Sequence, residues 1–383
     1  MLKHVSASAT RAVEKDFVIT DIDIRMCRNH DVDPGTLAHV RQRALDFLVV
    51  TITTQGGLQG HSFGFSARGA EAGGHVAAAS IKPFFIGKDA LARERHWHDF
   101  RSHDRWWNLV PTYAYSPFDI CLWDIAAQAA GLPLYRLLGE YRRRVPVYGS
   151  SFVLPSVDAY AAQAAEVKSK GWHAYKIHPP GDPARDLEIY RACRDAVGPE
   201  FALMADPVAA YTYPQALRIG RELERLGYLW LEEPVFDVDA HSQRKLAAAL
   251  DIPICGTEVL AGNHYAIANY IANDVVDIVR SDVSWKGGVT PVLKTAHLAE
   301  SFGMQCEIHT SIYHAMEIVN LHCCSAIANC TYFELLVPTT GLDCGLKAGL
   351  VIDSEGFAHP PSTPGLGIEF DWDAIDRMTV GVL

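Results

Sequence analysis

Seven ionisable residues recur at nearly even spacing through the second half of the chain. They are separated by 28, 26, 26, 24, 27 and 25 residues and comprise His178, Asp206, Glu232, Glu258, Asp282, His309 and Glu334. Each closes a short apolar run that we interpret as a β-strand, and Lys176 lies two residues before the first of them. One polar residue after a strand usually just begins a solvated loop. Seven at even intervals indicate instead a ring of strand ends that carries chemistry.

Three acids in this series, Asp206, Glu232 and Glu258, end successive strands and would converge. Carboxylates in contact repel one another and cannot all ionise unless a cation neutralises them. A ligand set of oxygen atoms without Cys or His suits a hard divalent ion, Mg²⁺ or alternatively Mn²⁺. The sequence therefore predicts a divalent metal site.

Two further pairs offer acid–base groups. Asp282 and His309 end the next two strands, and an Asp beside a His fixes the imidazole tautomer and raises its basicity. Lys176 and His178 stand two apart on one strand and so point the same way. The cation at 176 should favour neutral His178, which could act as a base or a ligand.

The elements that must position these residues are strands alternating with helices. The predicted strands are 145–149, 174–178, 202–206, 229–232, 254–258, 278–282, 305–309 and 332–336. Amphipathic segments between them predict helices at 157–170, 183–197, 213–226, 239–250, 265–273, 291–302 and 314–329. Eight such units favour an α/β fold of the (β/α)8-barrel type. An open doubly wound sheet is the alternative, disfavoured by the count and by the lack of G-x-G-x-x-G after the first strand.

The chain divides into three predicted parts. Residues 1–140 lack the alternating rhythm and read as an α+β domain with strands at 17–25 and 47–54, a turn at 56–60, and helices at 91–99 and 116–130. Residues 141–344 form the barrel, and the Gly- and Pro-rich segment 345–383 is too poor in apolar runs to form a domain alone.

Composition excludes several classes of protein. The 383 residues include 34 basic and 45 acidic side chains, a formal charge of −11, which disfavours a nucleic-acid partner. No apolar stretch reaches the roughly 20 residues of a membrane helix, and residues 1–15 lack a signal-peptide core, so we expect a cytoplasmic protein. Nine cysteines without any C-x-x-C predict reduced thiols, neither disulfides nor a zinc site.

These motifs resemble the enolase superfamily, and more closely its mandelate racemase-like branch. The matching segments are A-Y-K-I-H (174–178), A-D-P-V (205–208), L-E-E-P (231–234), G-T-E (256–258) and R-S-D-V-S-W-K-G-G-V-T (280–290), with His309 and Glu334. The resemblance implies a capping domain completed by the C-terminal segment, a barrel, and Mg²⁺ held by Asp206, Glu232 and Glu258, with Glu233 in support. It also implies a homo-oligomer.

Three positions depart from the family pattern. His178 replaces the second Lys of K-x-K, and Val208 stands where the family often has Asn. Trp285 occupies the place where some members carry a Lys, with Lys286 one residue later. The residue that acts on the His178 face is thus of a different type.

The resemblance and the residues together predict abstraction of the proton α to a carboxylate by a His or Lys base. Loss of a β-hydroxyl would follow, which makes the substrate a sugar acid and the product a 2-keto-3-deoxy acid. A racemase or epimerase is the alternative, and a non-catalytic metal-binding barrel is the alternative of another class. Metal-assisted hydrolysis is disfavoured because its metal sites more typically include His.

Three further predictions concern Glu334, a set of polar residues and a set of aromatic residues. Glu334 is expected to be protonated and to donate or share a hydrogen bond with the substrate carboxylate. Polar residues near the N-terminus suit a hydroxylated substrate, or alternatively are solvated loop residues: Arg28, Asn29, His30, His61 and Ser62. Aromatic residues could line an apolar pocket or belong to the core: Phe63, Phe65, Trp230 and Trp285, with core favoured for Trp230.

Overall fold

An antiparallel sheet forms the N-terminal part of the chain. The computed structural model describes residues 16–29, 36–37, 40–41, 45–66, 69–105 and 110–383. The strands here are β1 (Ile19–Asn29), β2 (Thr36–Leu37), β3 (Val40–Arg41), β4 (Leu45–Thr54) and β5 (Gln59–Phe65). The helices are Ala70–Val76, Lys82–Phe85, Arg93–Asp104, Thr112–Ala130 and Leu134–Leu137, with a π-helical segment at Ala77–Ile81.

Strand β5 was not predicted from the sequence, in which Gly60 was assigned to a turn at 56–60. The strand packs on the helix Thr112–Ala130 so closely that a Cβ at Gly60 would lie 2.2 Å from the carbonyl oxygen of Cys121. A Cβ at Gly64 would lie 2.7 Å from Pro117. These glycines permit a close approach of strand and helix rather than a turn.

The barrel strands follow one another in ring order. They are β6 (Val145–Ser151), β7 (Ala174–Ile177), β8 (Ala202–Ala205), β9 (Leu231–Glu232), β10 (Ile254–Gly256), β11 (Ile278–Ser281), β12 (Gln305–Ile308) and β13 (Phe333–Val337). The outer helices are Val157–Ser169, Pro183–Val197, Tyr213–Arg225, Ala240–Ala249, Asn263–Ala272, Val289–Ser301 and His314–Ala326. All neighbouring pairs from β6 to β12 are parallel, and β13 pairs with β6, which confirms the predicted α/β barrel-type fold. The short strand β14 (Phe357–Ala358) adds antiparallel to the start of β6.

The seam between β12 and β13 is closed by a side chain. In the described part of the chain these two strands share no ladder. The buried carboxylate of Glu307 instead accepts hydrogen bonds from the backbone N–H groups of Thr331 at 2.8 Å and Tyr332 at 3.2 Å. One backbone bond, from Cys306 N to the carbonyl oxygen of Asn329 at 2.7 Å, adds to this closure.

Glu307→Gln should therefore weaken the barrel. Glutamine offers one carbonyl oxygen where two acceptors are needed, so one buried N–H would face an NH₂ group, at a cost of about 1–3 kcal/mol. Urea unfolding of this variant should show that loss, whereas Glu300→Gln on an exposed helix surface should stay within about 0.5 kcal/mol. An unchanged midpoint for Glu307→Gln would refute the role given to this carboxylate.

The C-terminal segment returns to the cap, as predicted. Its strand β15 (Thr379–Val382), after the helix Trp372–Met378, pairs antiparallel with β1. Nearer the barrel, the buried ring of His322 accepts a hydrogen bond from Tyr135 N at Nδ1 (3.2 Å) and donates from Nε2 to the carbonyl oxygen of Leu366 (3.0 Å). One neutral histidine thus joins a barrel helix to the cap and the tail. The boundaries at 140 and 344 stay predictions.

This junction should make the fold acid-sensitive. Burial lowers the pKa of His322 from 6.5 to about 4. Because the folded-state pKa lies below the unfolded one, this contribution is intact above pH 6.5 and is lost as pH falls from 6.5 towards 4, up to about 3 kcal/mol. We expect the free energy of unfolding of His322→Gln to fall less over this window, as measured by urea titration at each pH. Parallel pH profiles of the two proteins would contradict this prediction.

Candidate active site

The predicted residues gather at one end of the barrel. Lys176 lies on β7, Glu232 ends β9, and the others of the series up to His309 follow their strands within two residues. Glu334 is the second residue of β13 and not near its end, a correction to the predicted strand boundary. The observed strands stop slightly earlier than predicted because the chain turns into the loops at these polar residues.

The three acids meet as the sequence predicts. One carboxylate oxygen from each of Asp206, Glu232 and Glu258 lies within 4.8 Å of the other two. Burial raises the pKa of Glu258 well above its ordinary value, and the neighbouring carboxylates of Glu232 and Asp206 add to the effect. These oxygens would be stabilised by a divalent cation, so the donor set fits Mg²⁺.

Lys176 is a fixed cation beside this cluster. Its fully buried ammonium lies 3.0 Å from Asp206 Oδ2, 3.2 Å from Glu232 Oε2 and 2.9 Å from Glu334 Oε1. Burial alone would lower the pKa of Lys176, but these three carboxylates outweigh it and raise the pKa well above its ordinary value. The geometry therefore places a protonated ammonium beside all three carboxylates.

Arg280 is a second buried cation. It belongs to the motif at 280–290, but no role was predicted for it from the sequence. Its guanidinium contacts Glu334 Oε2 and Tyr148 Oη, and its Nε lies 2.9 Å from Glu232 Oε1 in an ion pair without hydrogen-bond alignment. It thus links a predicted metal ligand to Glu334. Arg280 could have been recognised from the sequence, because it stands two residues before Asp282 and alternate residues of a strand share a face.

Arg280→Met should destabilise the protein strongly. It would leave two buried carboxylates with Lys176 as their main fixed partner, and breaking a buried ion pair on one side costs about 3–5 kcal/mol. Arg280→Lys should recover part of this loss, because an ammonium cannot span both carboxylates as a guanidinium does. Urea unfolding measures both, with exposed Arg225→Met as the control. A loss in the free energy of unfolding below about 1 kcal/mol for Arg280→Met would contradict the role of Arg280 as the partner of both carboxylates.

The expectation that Glu334 carries a proton is wrong. Its carboxylate forms an ion pair with Lys176 Nζ at 2.9 Å and accepts hydrogen bonds from Arg280 and from Thr310 N at 3.1 Å. Burial would raise the pKa of Glu334, but Lys176 and Arg280 outweigh it and hold the pKa well below its ordinary value. With every neighbour a donor, the group is ionised and orients the two cations. The sequence gives its position but not these partners.

His178 is held from both sides. Its Nδ1 lies 2.5 Å from the carbonyl oxygen of Ser151, and Tyr160 Oη donates to the carbonyl oxygen of His178 at 2.7 Å. A carbonyl oxygen only accepts, so Nδ1 carries a proton and Nε2 is the atom left to exchange one. This Nε2 lies 2.9 Å from Asp206 Oδ2, beside the acid cluster.

Asp282 and His309 face each other on the other side of the cluster. Asp282 Oδ1 accepts from Ser284 N, Ser284 Oγ and Trp285 N at 2.6–2.7 Å, which leaves Oδ2 turned towards His309. The distance from Oδ2 to His309 Nδ1 is 3.7 Å, too long for a hydrogen bond. His309 Nε2 lies 3.1 Å from Glu258 Oε1. The structure therefore brings the pair together without forming the predicted bond.

Two more residues support the acid cluster. Buried Glu233 accepts from Glu258 N at 2.8 Å, and burial raises the pKa of Glu233 to about 8. Trp230 lies in the barrel interior, as predicted, and its Nε1 donates to Glu232 Oε2 at 3.1 Å. Both thereby fix the orientation of a predicted ligand.

Four of the polar residues proposed near the N-terminus have partners within the protein. Arg28 pairs with Asp46 at 3.0 Å, and Asn29 donates to the carbonyl oxygen of Gly341. His61 contacts Thr51 Oγ1 at 3.0 Å, and Ser62 donates to the carbonyl oxygen of Phe63. His30 lies outside the described residues.

The aromatic candidates divide between core and cleft. Phe63 stacks on Phe47 at 4.6 Å between ring centroids and belongs to the core. Phe65 packs on Trp285 at 4.4 Å, and Trp285 lines a cleft of about 820 Å³ that also reaches Glu258.

Among the described helices, none combines the length and apolarity that crossing a membrane demands.

Comparisons with known proteins agree with this architecture. Residues 21–139 match the mandelate racemase/muconate lactonizing enzyme N-terminal domain, and residues 159–374 match the enolase C-terminal domain-like family. The chain is 32% identical over 291 residues to L-talarate/galactarate dehydratase of Salmonella typhimurium, covering 73% of this chain and 70% of that protein. It is 28% identical to 3,6-anhydro-alpha-L-galactonate cycloisomerase of Streptomyces coelicolor, covering 88% of this chain and 93% of that protein.

A solved structure extends the likeness to nearly the whole chain. D-glucarate dehydratase from Agrobacterium tumefaciens, crystallised with magnesium, superposes with a TM-score of 0.86 at 34% identity and covers 96% of this chain and 100% of that one. The family matches cover both the cap and the barrel, and the acid cluster lies where barrel strands end. The chain therefore belongs to the enolase superfamily, in its mandelate racemase/muconate lactonizing enzyme branch.

Proposed function

We propose that the protein removes the proton α to the carboxylate of a sugar acid and then eliminates the β-hydroxyl, giving a 2-keto-3-deoxy acid. The observation that carries this is His309, whose Nε2 lies 3.1 Å from Glu258 in the acid cluster and whose Nδ1 has Asp282 Oδ2 3.7 Å behind it. Relatives named as dehydratases of sugar acids support the choice.

Asp206, Glu232 and Glu258 would hold one Mg²⁺, or Mn²⁺ in its place. When bound, the metal supplies positive charge that stabilises the negative charge developing on the substrate carboxylate. Lys176 adds a fixed positive charge beside the same oxygens. Arg280 and ionised Glu334 hold Lys176 and Glu232 in place, so we assign them positioning roles.

His309 is the proposed base. Its Nε2 can take the α-proton, and the resulting imidazolium can then donate a proton to the departing hydroxyl. Asp282 Oδ2 accepts no hydrogen bond from the described residues and lies 3.7 Å away, so it would stabilise that imidazolium and close to a hydrogen bond as the charge forms. His178 would bind substrate or serve the final ketonisation.

A racemase or epimerase is the second candidate, favoured by the same pair of histidines, since two bases on opposite faces can exchange a proton across a carbon. The names of the relatives include a cycloisomerase as well as dehydratases, so the reaction type itself is part of the proposal. A cytoplasmic location and a homo-oligomer also stay predictions.

The test is a screen of mono- and diacid sugars with Mg²⁺ that reads out 2-keto product and, in D₂O, label at the α-carbon. A 2-keto product supports dehydration. Inverted, labelled substrate without keto product would favour the racemase. No exchange with any acid would favour a non-catalytic barrel.

A further inference from the structure

Asn320, on the barrel helix His314–Ala326, contacts the loops of both residues of the acid–base pair. Its side chain is buried, with 1% of the residue exposed. Asn320 Oδ1 accepts a hydrogen bond from Val283 N at 3.1 Å, and Nδ2 donates to the carbonyl oxygen of His309 at 2.9 Å. Val283 follows Asp282 in the loop after β11, whereas His309 begins the loop after β12. One side-chain amide therefore bridges the two loops that carry the pair.

The orientation of this amide is fixed by its partners. A backbone N–H only donates and a carbonyl oxygen only accepts, so the amide oxygen must face Val283 and the nitrogen must face His309. The same nitrogen also lies 2.9 Å from Ser311 Oγ and 3.2 Å from Glu317 Oε2. An amide turned the other way would lose both bonds to the backbone, so the buried side chain has one stable orientation.

The loop that carries His309 is also bonded at its next two residues. Glu334 accepts a hydrogen bond from Thr310 N at 3.1 Å, and Glu317 accepts one from Ser311 N at 2.6 Å. Both carboxyl groups are buried. The backbone after β12 is therefore held at consecutive residues by buried partners, and the position of the His309 ring follows from the position of this backbone.

The loop that carries Asp282 is held between the barrel and the cap. Asn320 binds the N–H of Val283, and Ser116 Oγ of the cap donates to the carbonyl oxygen of the same residue. The peptide groups on both sides of Val283 are thus tied to neighbouring elements. Asp282 can approach His309 by rotation of the side chains, but not by movement of the loop.

We infer that Asn320 is a positioning residue of the reaction, which fixes the separation and direction of the Asp282 carboxylate and the His309 ring. This inference rests on the proposed function, in which Asp282 stabilises the imidazolium formed on His309. The distance of 3.7 Å between Asp282 Oδ2 and His309 Nδ1 closes to a hydrogen bond by a small side-chain rotation only while the two backbones keep their separation. A displacement of about 1 Å in a catalytic site can cost about 100-fold in rate, so a bond that prevents it contributes to catalysis.

The test is Asn320→Leu, because leucine has a similar shape but forms no hydrogen bond with either loop. For the sugar acid with the highest turnover, we expect kcat to fall at least about tenfold with KM unchanged, since the lost alignment acts in the transition state. The kinetic isotope effect for substrate deuterated at the α-carbon should increase, because proton removal becomes slower relative to the other steps. Asn320→Ser should give the same result, since its hydroxyl fits without crowding but is too short to span both loops.

Asn329→Leu is the matched control. Asn329 is a buried asparagine whose Nδ2 also donates to backbone carbonyl oxygens, those of Ala296 at 2.9 Å and Met304 at 3.1 Å. It precedes β13, at the end of the barrel opposite the site. This variant should lower the urea midpoint as Asn320→Leu does but leave kcat unchanged. An equal loss of kcat in both variants, or a raised KM at unchanged kcat in Asn320→Leu, would overturn the inference.

A measurement without substrate separates failure of this inference from failure of the proposed function. If no acid exchanges its α-proton, the proposed function fails. NMR of protein containing isotope-labelled histidine then tests the positioning alone, with the His309 signal assigned by its absence from His309→Asn. We expect this signal to move in Asn320→Leu and to keep its place in Asn329→Leu. An unmoved His309 signal in Asn320→Leu would overturn the inference.

Discussion

Asp206→Asn should reduce turnover of a sugar acid by about a thousandfold or more, and EDTA treatment of the wild type should do the same. The variant loses one anionic ligand from a cluster whose three oxygens lie within 4.8 Å of one another. It also leaves Lys176 with one fewer of its three carboxylate partners. The expected result is loss of metal affinity together with loss of α-proton exchange.

Mn²⁺ calorimetry and exchange in D₂O measure the two effects separately. Asp186→Asn is a matched control. Asp186 is equally buried, but it lies on an outer helix and accepts a hydrogen bond from Tyr211 Oη at 2.6 Å. Full turnover after EDTA treatment, or wild-type Mn²⁺ affinity in Asp206→Asn, would rule out the proposed metal site.

His309→Asn should abolish formation of 2-keto product, whereas His178→Asn should retain measurable product. The reason is that one face does both proton transfers of a dehydration, and His309 has the free carboxylate oxygen of Asp282 behind it. In a racemase the two histidines serve opposite faces, so loss of either one stops interconversion. Each variant would then still exchange label into the enantiomer that its remaining base reaches.

Incubation of the wild type and both variants in D₂O decides between these outcomes, with exposed His359→Asn as the control. A 2-keto product without inverted substrate supports the dehydratase. Label exchange with inversion and no keto product in the wild type would contradict the dehydratase and support a racemase instead.

The positions of the site residues could be predicted because parallel strands repeat the same geometry. Any residue that ends a strand in such a ring points to the same mouth, so spacing alone brought Asp206, Glu232 and Glu258 together. The state of Glu334 could not be predicted this way. It depends on contacts with Lys176 and Arg280, which come from strands distant in sequence.

The missed features share a physical cause. Gly60 was interpreted as part of a turn at 56–60, although a close contact with a helix requires Gly60 and Gly64 within a strand. The direction of Lys286 depends on how Asp119 and Ser116 of the cap hold its loop. Contacts between domains of this kind leave no periodic signal in the sequence.

The pairing of β15 with β1 also bears on how the protein is made. Met26 pairs with Gly381, so this edge of β1 stays unpaired until residues about 350 positions later in the chain have been translated. At about 5–20 residues per second, the wait is roughly 20–70 s. An unpaired strand edge is a template for association with other chains, so we expect ribosome-bound chains to depend on a chaperone that covers β1 until β15 emerges.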